Sequence, residues 1–160
     1  MKTTTALNLD PCEVNQQQDD EMGLVFADIE LLRGDDLAFV RGGYMTDDKI
    51  HRCTVRAMVD SGATMLSIPA YVRDHLQLEK ISEIEAELAD GSAQTYEIVG
   101  PIEVRFANRR TIVEALVLPN STKTLLGAIP MEGMDVLIDP KRERLIVNPD
   151  SPKVARMLLM

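Results

Sequence analysis

Residues 54–69 constrain the fold of this chain more than any other stretch. Apolar side chains recur at every second position from residue 55 to residue 59, a period that predicts a β-strand with one buried face. Asp60 follows at once, so a carboxylate lies where the strand ends. Small residues at 61–63 allow the backbone to turn sharply, and the apolar run at 65–68 predicts another strand. The sequence therefore predicts an acidic loop that is held between buried strands.

The loop Asp60-Ser61-Gly62-Ala63 and its surroundings resemble a known family. After the second strand, Pro69 opens a short helix at 70–76. A strand, an Asp-Ser-Gly-Ala loop, an apolar strand and a helix in this order are similar to the retropepsin-like aspartic proteases, in particular their small bacterial and archaeal single-domain members. The resemblance covers residues 24–148. It implies a mainly β fold, a closed retropepsin-like β-barrel (the acid protease fold) with short helices and one lobe per chain.

The resemblance also implies roles for individual residues. In the family this loop supplies the catalytic acid, so Asp60 is expected to be catalytic and Ser61, Gly62 and Ala63 to support it. A later apolar-apolar-glycine segment threads beneath the loop before a short helix. The matching residues of this chain are Leu125, Leu126 and Gly127.

A turn signal at residues 90–92 separates two further predicted strands. Glutamates alternate with apolar residues over 81–89, which favours a strand with its acids in water, and residues 93–98 are its partner. This hairpin is similar to the flap that closes over the substrate in the family. The predicted flap residues are Leu88, Ala89, Asp90, Gly91 and Ser92. We expect apolar subsites from Ala63, Ile84, Leu88 and Leu126, with Ile84 and Leu126 in the substrate pocket.

The other segments predict more strands and short helices. Residues 22–32 predict a first strand, and residues 35–41 predict a helix that ends at Gly42-Gly43. Gly100-Pro101 is expected to break the chain. The later elements are predicted as strands at 102–106 and 112–118, a helix at 128–134, and strands at 135–138 and 144–147. We divide the chain into a mobile extension at 1–21, a retropepsin-like domain at 22–149 and a tail at 150–160.

Charge and composition exclude several classes of protein. A net charge of −9 and an isoelectric point near 4.7 argue against nucleic acid, and the only basic pairs, Arg109-Arg110 and Lys141-Arg142, fall at predicted hairpin tips. No apolar run reaches the length of a membrane span, which favours a cytoplasmic protein without membrane contact. The cysteines and histidines have no ligand spacing, so we predict no disulfide, metal or cofactor. These residues are Cys12, Cys53, His51 and His75.

The chemistry that the resemblance implies requires two carboxylates. One carboxylate activates a water while its protonated partner polarises the peptide carbonyl. The chain has a single Asp-Ser-Gly motif, so two copies must meet on a two-fold axis, each contributing Asp60. Ser61 is expected to lock the two loops across that axis. The sequence thus predicts a homodimeric endopeptidase that binds a peptide or protein substrate as an added strand.

Three alternatives remain. A dimer of the same fold could bind a peptide or a partner without cleaving it. A purely structural β domain would be a monomer. Asp-x-Gly loops also cradle phosphate in actin-like ATPases, but those proteins have two large lobes, and this chain has no glycine-rich phosphate loop.

Overall fold

The computed structural model describes residues 23–159, so the extension predicted at 1–21 lies outside the described residues. The first two strands, β1 (Val25–Arg33) and β2 (Arg52–Val59), pair antiparallel with Val25 opposite Val59. Between them lie the predicted helix, α1 (Gly34–Arg41), and a 3-10 turn (Asp47–Lys49). The remaining elements in chain order are β3 (Leu66–Pro69), α2 (Ala70–His75), β4 (Glu79–Glu87), β5 (Ala93–Phe106), β6 (Arg109–Leu118), β7 (Thr124–Leu126), α3 (Ala128–Met134), β8 (Val136–Asp139) and β9 (Arg144–Val147).

Six strands close a barrel. They follow one another in the order β1-β2-β7-β3-β6-β5, and β5 pairs back onto β1 with Leu31 opposite Val104. Closure leaves these six strands without free edges. The seventh strand of the sheet, β4, is not part of the barrel and pairs with β5. The predicted fold class, a mainly β retropepsin-like barrel with short helices, is confirmed.

The barrel interior is filled from alternate positions of the strands. In β2, residues 53, 55, 57 and 59 are buried while 54, 56 and 58 are not, which is the period seen in the sequence. Facing strands contribute more fully buried apolar side chains, and their packing excludes water from the barrel. Examples are Ile29, Leu31, Leu66, Ile68, Ile102 and Leu126.

The break predicted at Gly100-Pro101 is wrong. β5 runs without interruption from Ala93 to Phe106, and its register against β6 shifts between Val99 and Ile102. Proline has no N–H for the ladder and is tolerated in a strand where a bulge interrupts the pairing. Gly100 and Pro101, which are joined by a cis peptide bond, occupy that irregularity.

The last elements form a closing unit beside the barrel. α3 packs against β6, and β8 and β9 pair only with each other, with Val136 opposite Val147. α3 ends at Asp135, whose backbone is left-handed with φ 54°. None of the helices between residues 23 and 159 is long and apolar enough to cross a membrane.

Candidate active site

Asp60 lies in a tight turn immediately after β2. Its amide donates to the carbonyl of Leu126 at 3.0 Å, and its carbonyl accepts from the amide of Ala63 at 3.1 Å. The carboxylate is half-buried, and its Oδ1 accepts the amide of Gly62 at 2.9 Å. Within residues 23–159, Oδ2 accepts no hydrogen bond. The turn therefore fixes one carboxylate oxygen and leaves the other open to reactants.

Strand β7 supports this turn from below. It pairs parallel with β2, with Leu126 opposite Val59, and antiparallel with β3, with Leu125 opposite Ser67. Gly127 follows directly beneath the loop, where an added Cβ would lie 2.8 Å from the carbonyl oxygen of Ala63. Its φ of −90° suits any residue, so glycine is required here by space.

The start of α3 completes the support. The amide of Ala128 donates to the carbonyl of Ala63 at 2.8 Å, and the amide of Ile129 donates to that of Thr64 at 2.9 Å. The first amides of a helix have no hydrogen-bond partner within the helix. These two bonds give both amides an acceptor and give the carbonyls of the loop a donor. The loop is consequently held by backbone contacts from two elements and depends little on side chains.

The predicted flap is the hairpin of β4 and β5. The amide of Leu88 donates to the carbonyl of Ser92 at 2.7 Å, and Gly91 has φ +84°, a left-handed conformation that favours glycine. The carboxylate of Asp90 accepts the hydroxyl and the amide of Ser92, and these bonds hold the pKa of Asp90 below its ordinary value. β4 is exposed along nearly all of its length. The hairpin thus projects from the barrel on its own hydrogen bonds.

A cavity of about 330 Å³ lies between the base of this hairpin, α2 and the end of β6. We call it the flap-base cavity; its lining residues are Arg73, Lys80, Glu83, Thr95, Tyr96, Glu97, Val117 and Pro119. The Arg73 guanidinium lies 3.3 Å from the carboxylate of Glu97, and Lys80 pairs with Glu83. The cavity is therefore lined by two ion pairs in addition to apolar groups.

Comparison with known proteins identifies the family. Residues 47–129, more than half of the chain, match the aspartyl protease family profile. This chain belongs to the retropepsin-like aspartyl protease family. Among solved structures, it is similar to the retroviral protease-like domain of Ddi1 from Leishmania major, with a TM-score of 0.51 and 15% identity over 81% of this chain and 91% of that chain. At that identity the likeness supports the fold alone. A comparison with curated proteins gave no match.

The structure of this aspartyl protease family member brings the predicted loop residues together. Asp60, Gly62, Ala63 and Gly127 lie in direct contact, and Ser61 is exposed at the surface of the loop. The predicted flap residues 88–92 form the tip of the hairpin. The catalytic, supporting and flap roles of these residues stay predictions.

The two predicted pocket residues lie apart. Leu126 is fully buried beneath the Asp60 loop, where it packs in the core. Ile84 is 37% exposed on β4, opposite Tyr96, and does not line the flap-base cavity. Sequence reasoning missed the charged lining of this cavity, Arg73 and Glu97. Counting outward from the turn at 90–92 would have placed Glu97 opposite Glu83. Two negative charges at opposite positions of a strand pair are destabilising, so this register predicts that basic side chains lie nearby.

Proposed function

We propose that this aspartyl protease family member is an endopeptidase that acts as a homodimer, with Asp60 from each of two copies forming the catalytic pair. The observation that carries the proposal is the Asp60 turn. One carboxylate oxygen is fixed by the amide of Gly62, and the other accepts nothing from residues 23–159. An acid with one oxygen fixed and one open is placed to bind a water or a protonated partner.

The chemistry follows from bringing two such acids together. Two carboxylates at hydrogen-bonding distance cannot both ionise readily, so the pair holds one proton, as is known for aspartic proteases in general. The ionised member accepts a proton from a water as that water attacks the peptide carbonyl carbon. The protonated member donates to the carbonyl oxygen, and proton transfer to the amide nitrogen then releases the amine product.

Symmetry supplies the second acid. The described residues contain a single Asp-Ser-Gly turn, and Ser61 and Gly62 beside Asp60 are exposed. Exposed small residues allow the same turn of another copy to approach closely, and a two-fold axis through this point would place the two carboxylates side by side. The hydroxyl of Ser61 is available to bond the backbone of the partner loop.

The hairpin of β4 and β5 suits the binding of an extended peptide. Its exposed backbone can add main-chain hydrogen bonds to a substrate strand, and side-chain pockets then set preference. The flap-base cavity is one such pocket, and the Arg73–Glu97 and Lys80–Glu83 pairs would favour polar or charged side chains there.

Cleavage of a disordered protein between pH 3 and pH 7, with fragments identified by mass spectrometry, tests the proposal. We expect Asp60→Asn, which keeps the shape of the side chain, to lower the rate by more than about 100-fold. Asp28→Asn is the matched control, because Asp28 is an exposed aspartate on β1. Hydrolysis that persists in Asp60→Asn would remove the mechanism, and peptide binding without hydrolysis in the wild type would identify a binding module.

A further inference from the structure

The hairpin of β4 and β5 leaves the barrel at a defined level. Within residues 23–159, residues 93–97 of β5 pair only with β4, and Ile98 is the first residue of β5 that pairs with β6. At the same level of β4, the register against β5 shifts between Lys80 and Ser82. Such a bulge bends a strand and interrupts its pairing. The hairpin therefore has two places to bend, at residues 80–82 and 97–98, and beyond them its strands pair only with each other.

One ion pair joins the barrel to the hairpin at this level. The guanidinium of Arg73, on α2, lies 3.3 Å from the carboxylate of Glu97, measured from Nη1 to Oε2. Val72 of α2 and Leu76 directly after the helix are fully buried in the core, and they fix α2 to the barrel. Glu97 is the last residue of β5 before the pairing with β6 begins. We call Arg73 and Glu97 the latch, since they connect a fixed helix to the base of the hairpin.

The guanidinium of the latch is oriented by a neighbouring residue. Nε of Arg73 donates to the carboxylate of Asp74 at 2.9 Å, while Nη1 donates to Glu97. The hydrogen bond with Asp74 is the main cause that raises the pKa of Arg73 above its ordinary value, and the charge of Glu97 adds to it. Arg73 therefore stays protonated in its place, and closure of the latch depends on the charge of Glu97.

The charges around the latch explain why the hairpin needs Arg73. Glu97 is directly opposite Glu83 in the pairing of β5 with β4, and Lys80 pairs with Glu83 from its own strand. Like charges at opposite positions destabilise a strand pair, and Arg73 offsets this for Glu97. Both latch residues line the flap-base cavity of about 330 Å³, so open space borders the pair. The two side chains can consequently separate without displacing the core.

We propose that Arg73 is the positioning residue of this hairpin. The closed latch holds the hairpin against α2, and separation of Arg73 from Glu97 lets it pivot about residues 80–82 and 97–98. The inference rests on the proposed function for the use of the motion, which is to admit a peptide and then close over it. The side chains of Arg73 and Glu97 are 27% and 31% exposed, so the pair gives a modest bias toward closure. A modest bias suits a part that must open at every turnover.

Relaxation-dispersion NMR of the full chain measures the open population of the hairpin. We expect the amides of residues 83–97 to exchange between two states. Arg73→Gln, which removes the charge and keeps a polar side chain, should raise the open population about threefold, as for the loss of one partly exposed ion pair. Arg142→Gln, at the exposed turn between β8 and β9, removes the same charge elsewhere and is the matched control. Equal populations in Arg73→Gln and wild type would overturn the inference.

Charge reversal distinguishes the latch from a contact that only stabilises the fold. Arg73→Glu places two carboxylates together and Glu97→Arg places two guanidinium groups together, so each variant should open the hairpin. The double variant restores opposite charges, and we expect its open population to return toward the wild-type value. A double variant that is as open as the two single variants would overturn the pairing of Arg73 with Glu97.

The outcomes separate this inference from the proposed function. A hairpin that opens more in Arg73→Gln, in a protein that cleaves nothing, supports the inference and removes the endopeptidase. Asp60-dependent cleavage with an open population that Arg73→Gln leaves unchanged supports the endopeptidase and overturns the inference. Where both hold, Arg73→Gln should raise KM about threefold with little change in kcat, because a bound peptide escapes more often while the chemistry at Asp60 is untouched.

Discussion

Gly127 lies so close beneath the carbonyl of Met65 that no side chain fits between them. A Cβ at this position would collide with the carbonyl oxygen of Met65 and lie 2.9 Å from the carbonyl carbon of Thr64. All of these atoms belong to the backbone of the loop that follows Asp60, so they cannot move aside as a flexible side chain would. The position of the Asp60 loop therefore depends on the absence of one methyl group in a segment far along the chain.

We expect Gly127→Ala to lower the free energy of unfolding by about 2–3 kcal/mol, because the added methyl forces the backbone apart. Gly62→Ala is the contrast, since its Cβ would meet only Oδ1 of Asp60 at 3.1 Å. That variant should change stability little but shift the carboxylate and lower activity. Urea unfolding together with the cleavage assay checks both. A Gly127→Ala variant as stable as wild type would contradict the close contact.

Gly91→Ala tests the tip of the flap. Gly91 has φ +84° and nothing within 4 Å of an added Cβ, so the cost is one of backbone conformation alone. We expect the hairpin to lose about 1 kcal/mol, because alanine resists this conformation. Amide exchange should then be faster at the tip, around residues 88–92, and unchanged in β2. Ala89→Gly, which does not disturb Gly91, is the control. Equal amide exchange at the tip in Gly91→Ala and in the wild type would argue against the left-handed conformation of Gly91.

Asp36 should be a main determinant of the stability of the segment around α1, between β1 and β2. Its buried carboxylate accepts the Arg33 guanidinium at 2.7 Å, the His51 amide at 2.8 Å and the His51 ring at 2.7 Å. Asp36→Ala leaves these donors without an acceptor and is expected to lower the free energy of unfolding by about 2–4 kcal/mol. Asp35→Ala, which removes a neighbouring carboxylate whose side chain is 46% exposed, should cost far less.

The contribution of Asp36 has a defined pH dependence. Burial raises its pKa, but the hydrogen bonds from His51 and Arg33 outweigh burial, so the pKa in the folded state is lowered. The stabilisation is therefore complete above the ordinary aspartate pKa of about 4 and is lost as the pH falls through the lowered folded value. Urea unfolding of wild type and Asp36→Ala at pH 7 and pH 3 checks this: the difference between them should shrink at the lower pH.

Asp135 should keep the C-terminal segment, residues 148–157, docked well into the acidic range. Its carboxylate accepts the side-chain amide of Asn148, the hydroxyl of Ser151 and the backbone amide of Arg156. These bonds, led by that of Ser151, lower its pKa from 3.8 to about 2, so docking is fully favoured above pH 3.8 and is lost only as the pH falls through about 2. Asp135→Asn has one acceptor oxygen fewer and no charge, and it should loosen residues 148–156 already at neutral pH. Amide exchange at Arg156 measures this directly. Wild-type protection of that amide in Asp135→Asn would show that other contacts hold the segment.

The local signals of the sequence were sufficient for the central part of the fold. Alternating apolar positions before Asp60 predicted β2, since period two buries one face of a strand wherever it lies. The end of α1 at the Gly42-Gly43 pair and the turn at Asp90-Gly91-Ser92 were also predicted correctly. Helix stops and tight turns are decided by neighbouring residues.

The tertiary structure alone decided features that join distant residues. Pro101 continues β5 because a bulge against β6 accommodates it, and Arg109 is buried because the C-terminal segment covers it. Leu126 lies inside the barrel. From the sequence alone, an apolar residue near an acidic loop fits a core position and a substrate-pocket position equally well. Strand register and burial arise from partners tens of residues away. The sequence by itself therefore determined the acidic loop and its flanking strands, while only the closed barrel decided what supports that loop and which surface remains open beside it.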